Sequence, residues 1–302
     1  MPHLFSVVTS AYNAQAFILR ALESVKNQTE KDYEYIIIDN GSEDDTFAII
    51  KRFAEQNSQM DIKLYHFKEN LGISGGRNAG IERSKGKYIC FLDADDYWYE
   101  NKLEEIKKAI QNNPDYSVFC HWEDHIRGDR TTLGKYRQIN NSAPYEDLLF
   151  NGNCLSTSAI VIKEECIKAV KGFDLSLQAG EEDFDCWLRI ARNGAKFFMI
   201  EKPLGVWLIR GNSISAKHII HTDAVVAMLD THFDYLLEAS PEKAEIMKKR
   251  KQILARNYCG CARMLSLDKQ RKLAKKVYVK SLKYDKAYWK SYVGLLLNLL
   301  HL

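Results

Sequence analysis

The chain has 302 residues, 46% hydrophobic, 27% charged and 11% aromatic, a composition that excludes a disordered, collagen-like or disulfide-scaffold protein. Its formal charge of +3 conceals two opposite parts: residues 241–302 carry 16 Lys and Arg against 4 Asp and Glu, net +12, and residues 1–240 carry 27 against 36, net −9. The larger part would repel phosphate backbones, which argues against nucleic acid as a partner.

From the start of the chain, short β-rich runs alternate with amphipathic stretches. Residues 4–9, 35–39, 62–67 and 88–93 read as strands, while 16–27 and 45–56 place apolar residues such as Phe17, Leu19, Leu22 and Val25 at helical spacing. This alternation predicts an α/β fold, a Rossmann-like, mostly parallel sheet flanked by helices, with ligands beyond the carboxyl ends of its strands. Further strands are predicted at residues 116–120, 158–162 and 196–200, with helices at 102–112 and 182–193. Between His121 and His125, Trp122-Glu123-Asp124 reads as a polar turn, and both imidazoles as structural. From about Thr222 apolar positions recur at helical spacing through 224–237, 246–267, 273–282 and 288–300. The expected organisation is an α/β domain over residues 1–220 and a basic α-helical region over 221–302.

Four strand exits concentrate the chemistry. They are Thr9-Ser10-Ala11-Tyr12-Asn13, Asp39-Asn40-Gly41-Ser42, the stretch Asn70-Leu71-Gly72-Ile73-Ser74-Gly75-Gly76-Arg77-Asn78, and Asp93-Ala94-Asp95-Asp96. Alternation sends Asp93 and Asp95 to one side of a strongly apolar strand, which suits a divalent cation and sugar hydroxyls better than a helix cap, since a cap needs one Asp. Glu181-Glu182-Asp183 opens a helix in which Trp187 follows Asp183 by one turn, so a carboxylate could face a cavity beside an aromatic wall. Gly72-Ile73-Ser74-Gly75-Gly76 matches the letters of a G-x-S-x-G nucleophile elbow, but the preceding strand ends several residues earlier than that turn requires. Glycines and Arg77 approaching an anionic ligand is the preferred reading of this stretch. The seven Cys show no paired C-x-x-C spacing and are expected to be reduced thiols.

Together, Thr9 with Tyr12-Asn13, Asp39-Asn40-Gly41-Ser42-Glu43-Asp44, Asn70-Leu71-Gly72 with Arg77-Asn78-Ala79-Gly80, Asp93-Ala94-Asp95-Asp96, and Glu182-Asp183 with Trp187-Leu188-Arg189 closely resemble family 2 glycosyltransferases of the GT-A fold, over roughly residues 3–216. The resemblance implies that residues 1–220 bind a nucleotide diphosphate sugar, with a UDP-sugar favoured, and catalyse inverting transfer to a glycan or lipid-linked acceptor in surface polysaccharide or glycoconjugate synthesis. It implies that Thr9, Ala11, Tyr12, Asn13 and Asp39 hold the base and ribose, with Gly72 and Arg77 nearby. Asp93 would meet ribose or sugar hydroxyls, Ala94 would join the nucleotide-sugar site, and Asp95 would ligate Mg2+ or Mn2+ on the diphosphate. Asp183 would be the general base, with Glu182, Trp187 and Trp207 lining the acceptor and sugar pocket.

One segment departs from the family. Trp207-Leu208-Ile209-Arg210-Gly211-Asn212-Ser213-Ile214-Ser215 places Arg210 where many relatives carry a His that can complete the metal shell, and Arg, which cannot ligate a metal, could pair with the diphosphate instead. A sugar nucleotidyltransferase is the competing enzyme, but Ser6–Asn13 lacks the glycine-rich basic loop it needs; a silent nucleotide-sugar-binding protein is the other alternative. No apolar run reaches the roughly 18–20 residues of a membrane span, and the first residues lack a signal-peptide pattern, so a cytoplasmic location is expected. The lysine-rich tail ends in an apolar stretch, which fits either peripheral contact with the inner face of the membrane or a helical cap on the main domain.

Overall fold

The computed structural model describes residues 3–210 and 217–300, which fall into two compact units: 3–178 with 182–210, and 179–181 with 217–300. The first unit contains β1 (Phe5–Ala11), α1 (Ile18–Lys26), β2 (Tyr33–Asp39), α2 (Thr46–Gln56), β3 (Ile62–His66), α3 (Gly72–Arg83), β4 (Tyr88–Phe91), β5 (Tyr97–Trp98), α4 (Lys102–Asn112), β6 (Val118–Arg127), β7 (Arg130–Gly134), α5 (Pro144–Asn151), a 3-10 turn (Thr157–Ala159), β8 (Val161–Lys163), α6 (Glu164–Ala169), α7 (Glu182–Arg192) and β9 (Phe197–Leu208). The second unit is helical: α8 (His218–Ala239), α9 (Lys243–Leu267), α10 (Arg271–Tyr284) and α11 (Trp289–Leu300). Among the described residues no helix is long and apolar enough to cross a membrane.

One mixed sheet runs β3-β2-β1-β4-β8-β6-β9-β5, with β7 added to β6. Its first four strands are parallel, whereas β8 and β5 pair antiparallel with their neighbours. β1 and β2 are buried almost throughout, as strands covered on both faces must be, and the polar Ser6 and Glu34 within them bond to each other at 2.6 Å. On α1 the inward residues are Ile18, Ala21, Leu22 and Val25, one stripe at helical spacing; Leu19, expected on that stripe, is exposed. This packing fixes the strand exits on one edge, where the polar sequences of the first unit collect.

Three segments differ from the sequence reading. Residues 121–125 are not a turn but the middle of β6, because His121 and Glu123 lie buried inside the sheet, where polar letters disguise a strand. The pair Tyr97–Trp98 is a short strand the periodicity did not reveal. Most consequentially, Gly72 to Gly76 is not a ligand-facing loop but the first turn of α3. Gly76 and Gly80 stand four residues apart on the face turned to β1: a Cβ at Gly76 would lie 2.1 Å from Ser10 Oγ, and one at Gly80 2.2 Å from Val8 Cγ1. Gly72, with φ +75°, meets Gln178 in the same way, at 2.3 Å from its Oε1. The glycines let a helix press against a strand. The elbow reading fails with them, since Ser74 is fully buried and its Oγ donates to Leu177 O at 3.2 Å.

The sign of one substitution tests this account. Helix propensity alone would make Gly80→Ala stabilising by about 1 kcal/mol. Overlap with the stiff, β-branched Val8 should reverse it, to a net loss of about 1–3 kcal/mol in urea unfolding; a gain in stability would show that α3 does not need the close approach.

Candidate active site

α3 carries Arg77 into the centre of the site. Its guanidinium is almost wholly buried; Nη1 donates to Glu182 Oε1 at 2.8 Å, Nη2 donates to Asp93 Oδ1 at 2.8 Å, and the plane lies 5.3 Å from the ring centre of Phe173. Asn78, the next residue on α3, holds the Phe173 backbone at both ends: its Nδ2 donates to Phe173 O and its Oδ1 accepts from Phe173 N, each at 2.8 Å. Phe173 in turn packs edge-on against Trp187. Two expectations are corrected here. Trp187 is completely buried and supports this stack from beneath, so it cannot wall a sugar pocket; Glu182, also buried, anchors Arg77 and does not face an acceptor. Arg77 itself has both arms committed to protein carboxylates and clamps the loop after β4 to the start of α7.

The loop after β4 holds three carboxylates in different environments. Asp93 is about a third exposed, at 37% of its side chain. Its N–H donates to Ser158 Oγ at 3.1 Å, and Ser158 Oγ donates to Asp96 Oδ2 at 2.6 Å. Asp96 is buried and its other oxygen accepts from Leu208 N at 2.9 Å; burial, then the neighbouring Asp95 and Glu123, drives its pKa well above the ordinary carboxylate range. Asp95 is 23% exposed and ion-paired with Arg210, whose guanidinium sits 4.7 Å from the ring centre of Phe17; the Asp95 carbonyl accepts from Arg20 Nη2 at 3.3 Å. Burial and Asp93 raise the Asp95 pKa while Arg210 opposes them. Ala94, between the two, is buried. Of the segment in which Arg210 replaces a His, residues 211–216, including Ser213 and Ser215, lie outside the described residues.

Asp183 stands in the first turn of α7, partly exposed, with Thr157 Oγ1 donating to its Oδ2 at 3.3 Å and the adjacent Phe184 N–H donating to its Oδ1. Burial, reinforced by Glu182 and opposed by Arg77, pushes its pKa up to about 7. Thr157 and Ser158 are neighbours in the 3-10 turn, so two consecutive hydroxyls tie Asp183 on one side and the Asp93–Asp96 loop on the other. Neither residue was singled out from the sequence; the only available signal was a Ser/Thr-rich stretch, Ser156-Thr157-Ser158, ahead of a strand.

Among the described residues, Arg77 is ion-paired with Asp93 and Glu182, Arg210 is ion-paired with Asp95, and Asp183 lies close enough to Arg77 to feel its charge. No group of three or more His, Cys, Asp or Glu among the described residues is placed to hold a metal.

At the β1 and β2 exits the expected contacts divide. Thr9 is buried with its Oγ1 3.1 Å from Tyr35 OH, and Ala11 is buried too, so neither offers a side chain to a nucleotide. Tyr12 is exposed, while Asn13, in the left-handed region at φ 47°, laces the two exits together: its Oδ1 accepts from Glu43 N at 2.9 Å and its N–H donates to Ser42 Oγ at 3.1 Å. Asp39 is fully buried, with Oδ2 2.6 Å from His66 Nδ1. Its Oδ1 has no hydrogen-bond partner among the described residues, an orphan acceptor at the ligand edge of the sheet that fits an incoming N–H or O–H. His66, which the sequence reading left out, could have been found as the last residue of β3, the exit beside that of β2. Trp207 is partly exposed and meets His125 edge-on, with ring centres 4.9 Å apart.

A family model described as Glycosyl transferase family 2 matches residues 6–163. The chain is 30% identical over 206 residues to the amylovoran biosynthesis glycosyltransferase AmsB of Erwinia amylovora, covering 66% of this chain and 68% of that protein. It is 29% identical over 219 residues to the UDP-Glc:alpha-D-GlcNAc-diphosphoundecaprenol beta-1,3-glucosyltransferase WfaP of Escherichia coli, covering 71% and 80%. In three dimensions it is similar to S. aureus TarS residues 1–349, crystallised in complex with UDP-GlcNAc, with a TM-score of 0.68 over 94% of this chain and 81% of that one; at 16% identity this is a likeness of fold.

Removing the clamp should be costly. Arg77→Met leaves the buried Glu182 without its cation and is expected to lower stability by about 3 kcal/mol in denaturant titration; a loss below about 1 kcal/mol, the scale of an exposed ion pair, would refute the buried Arg77–Glu182 pair.

Proposed function

The chain belongs to glycosyl transferase family 2 and has the GT-A fold, and on that premise we propose that residues 1–220 transfer a sugar from a UDP-sugar to an acceptor hydroxyl with inversion at the anomeric carbon. The observation that carries this reading is the 3-10 turn, whose adjacent hydroxyls hold Asp183 and the Asp93–Asp96 loop at one site although the two lie about ninety residues apart in the chain.

The steps assigned to the chain's own residues follow from their environments. Asp39 Oδ1 is the unsatisfied acceptor for the base or ribose, beside the exposed ring of Tyr12. Asp93, held by Arg77 but still partly exposed, receives ribose or sugar hydroxyls. Asp183 takes the proton from the acceptor hydroxyl as that oxygen attacks the anomeric carbon, opposite the departing nucleotide. A raised pKa suits this work, because a carboxylate near neutrality in basicity holds a proton far better than an exposed one. Arg210, set on Phe17 and paired with Asp95, is placed to exchange that carboxylate for a diphosphate, and Trp207 offers an exposed ring to a sugar. Mg2+ or Mn2+ held by Asp95 together with the diphosphate would offset the charge that gathers on the leaving group.

The setting is drawn from the relatives' names. AmsB is named for amylovoran biosynthesis, and WfaP for a UDP-Glc donor and a diphosphoundecaprenol-linked acceptor, so a surface polysaccharide and a lipid-linked acceptor at the cytoplasmic face of a membrane are the proposed context.

Two measurements test the assignment. Asp183→Asn should lower kcat by about 10²–10⁴-fold, the usual contribution of a general base, while calorimetric affinity for the donor changes little; an equal loss of nucleotide affinity would remove Asp183 from the role of base. The base works only once its proton is gone, so kcat/KM should rise with pH and level off above about 7. A profile that stays flat through that region contradicts the assignment.

A further inference from the structure

α11 is built inside out. Its inward positions, Ser291, Gly294, Leu295 and Asn298, recur at helical spacing, yet three of the four are polar or lack a side chain. Ser291 and Asn298 are buried and satisfied. Ser291 Oγ lies 2.7 Å from Ser281 Oγ, Asn298 Oδ1 accepts from Ser266 Oγ at 3.0 Å, and Asn298 Nδ2 donates to Arg271 O at 3.1 Å. Arg271 Nη1 returns a bond to Asn298 O at 3.1 Å, and a Cβ on Gly294 would fall 2.3 Å from Tyr278 Cε1. Buried hydrogen-bonded polar groups and one close approach thus fix which side of the helix faces the other helices of its unit.

The consequence is an apolar face turned outward. Trp289 is 64% exposed, Tyr292 52%, Leu296 56% and Leu300 56%, on successive turns of one helix. A contiguous apolar surface of this kind marks an interaction site on a soluble domain. Its 12 described residues span roughly 18 Å, less than the ~30 Å hydrocarbon core.

The charges around it identify that surface. Residues 271–300 carry 8 Lys and Arg against a single acid, Asp285. Beside the exposed face runs a groove of about 460 Å³ in which Arg256, Arg263 and Lys290 stand next to Leu267, Val293 and Leu297, a lining matched to a molecule that is anionic at one end and apolar at the other. A second copy of the chain would bring two strongly positive segments together. An anionic leaflet meets both features, with headgroup phosphates for the cations and acyl chains for the leucines.

We infer that α11 is an interfacial helix that docks the protein on an anionic phospholipid surface, its outward Trp, Tyr and Leu residues entering the headgroup boundary while the flanking lysines and arginines pair with lipid phosphates. The inference rests on the second unit alone and needs neither donor nor acceptor.

The test is co-sedimentation of the full chain with vesicles of phosphatidylcholine alone, or mixed equally with phosphatidylglycerol. The wild-type chain should partition onto the anionic vesicles and only weakly onto the neutral ones. The double variant Leu296→Asp with Leu300→Asp should lose about tenfold or more of that partitioning, with its far-UV circular dichroism unchanged because both residues are already exposed. The milder Trp289→Ser should shift binding in the same direction. Equal binding to both vesicle types overturns the anionic surface, and unchanged binding of the variants overturns the role of α11. Absence of vesicle binding together with a light-scattering dimer that Leu296→Asp dissociates would assign the face to a second copy and overturn the inference.

Discussion

The candidate site depends on one buried cation. Arg77 lies between the partly exposed Asp93 and the buried Glu182 with a hydrogen bond to each, and without it the Glu182 carboxylate would lose its ion pair in a space from which water is largely excluded. Desolvation makes such a cation worth little as a source of stability and much as a constraint: the pair it holds cannot separate without leaving a buried charge unmatched. Its two anions come from the loop after β4 and the start of α7, so the clamp fixes the distance between those two segments. Phe173, held through its backbone by Asn78, then limits where the guanidinium can lie.

That constraint is imposed from the sheet outward. α3 can bring Arg77 and Asn78 to this position only because Gly76 and Gly80 let it approach β1 closely. The glycine-rich sequence and the arginine are one device: small residues on the helix face toward the strand, a long cation and an amide on the face toward the site. A phosphate-binding loop would use similar letters for the opposite purpose, with backbone N–H groups free for a ligand. The letters alone do not distinguish the two, because what differs is whether the helix begins before or after the glycines.

Much of the fold was legible because β1, β2 and β4 are short β-rich runs followed by polar residues, and a parallel sheet puts those ends on one edge. The rest was hidden where burial and polarity coincide. β6 passes His121 and Glu123 through the interior, Thr9 spends its hydroxyl on Tyr35, and Trp187 fills the core where an aromatic beside an acidic turn suggested a pocket wall. α11 shows the same limit in reverse. Periodicity gives a stripe of polar positions and a stripe of apolar ones, but which stripe faces inward is decided by Ser281, Ser266 and Arg271, which come from α9 and α10.

Burial raises the pKa of both Asp96 and Asp183, yet it prepares them for different work. Asp96 accepts a hydrogen bond on each oxygen, from Ser158 Oγ and Leu208 N, and is closed to solvent; its proton affinity is a by-product of holding β9 and the 3-10 turn to the loop after β4. Asp183 is partly open, and its contact with Thr157 at 3.3 Å is long for an O–H donor. A carboxylate that is desolvated enough to be basic and open enough to be reached can move a proton during a reaction, whereas one closed to solvent, whose bonds tie β9 and the 3-10 turn to a loop, cannot do so without dismantling that loop. Basicity therefore does not separate these two carboxylates; access to solvent, and what each would have to let go, does.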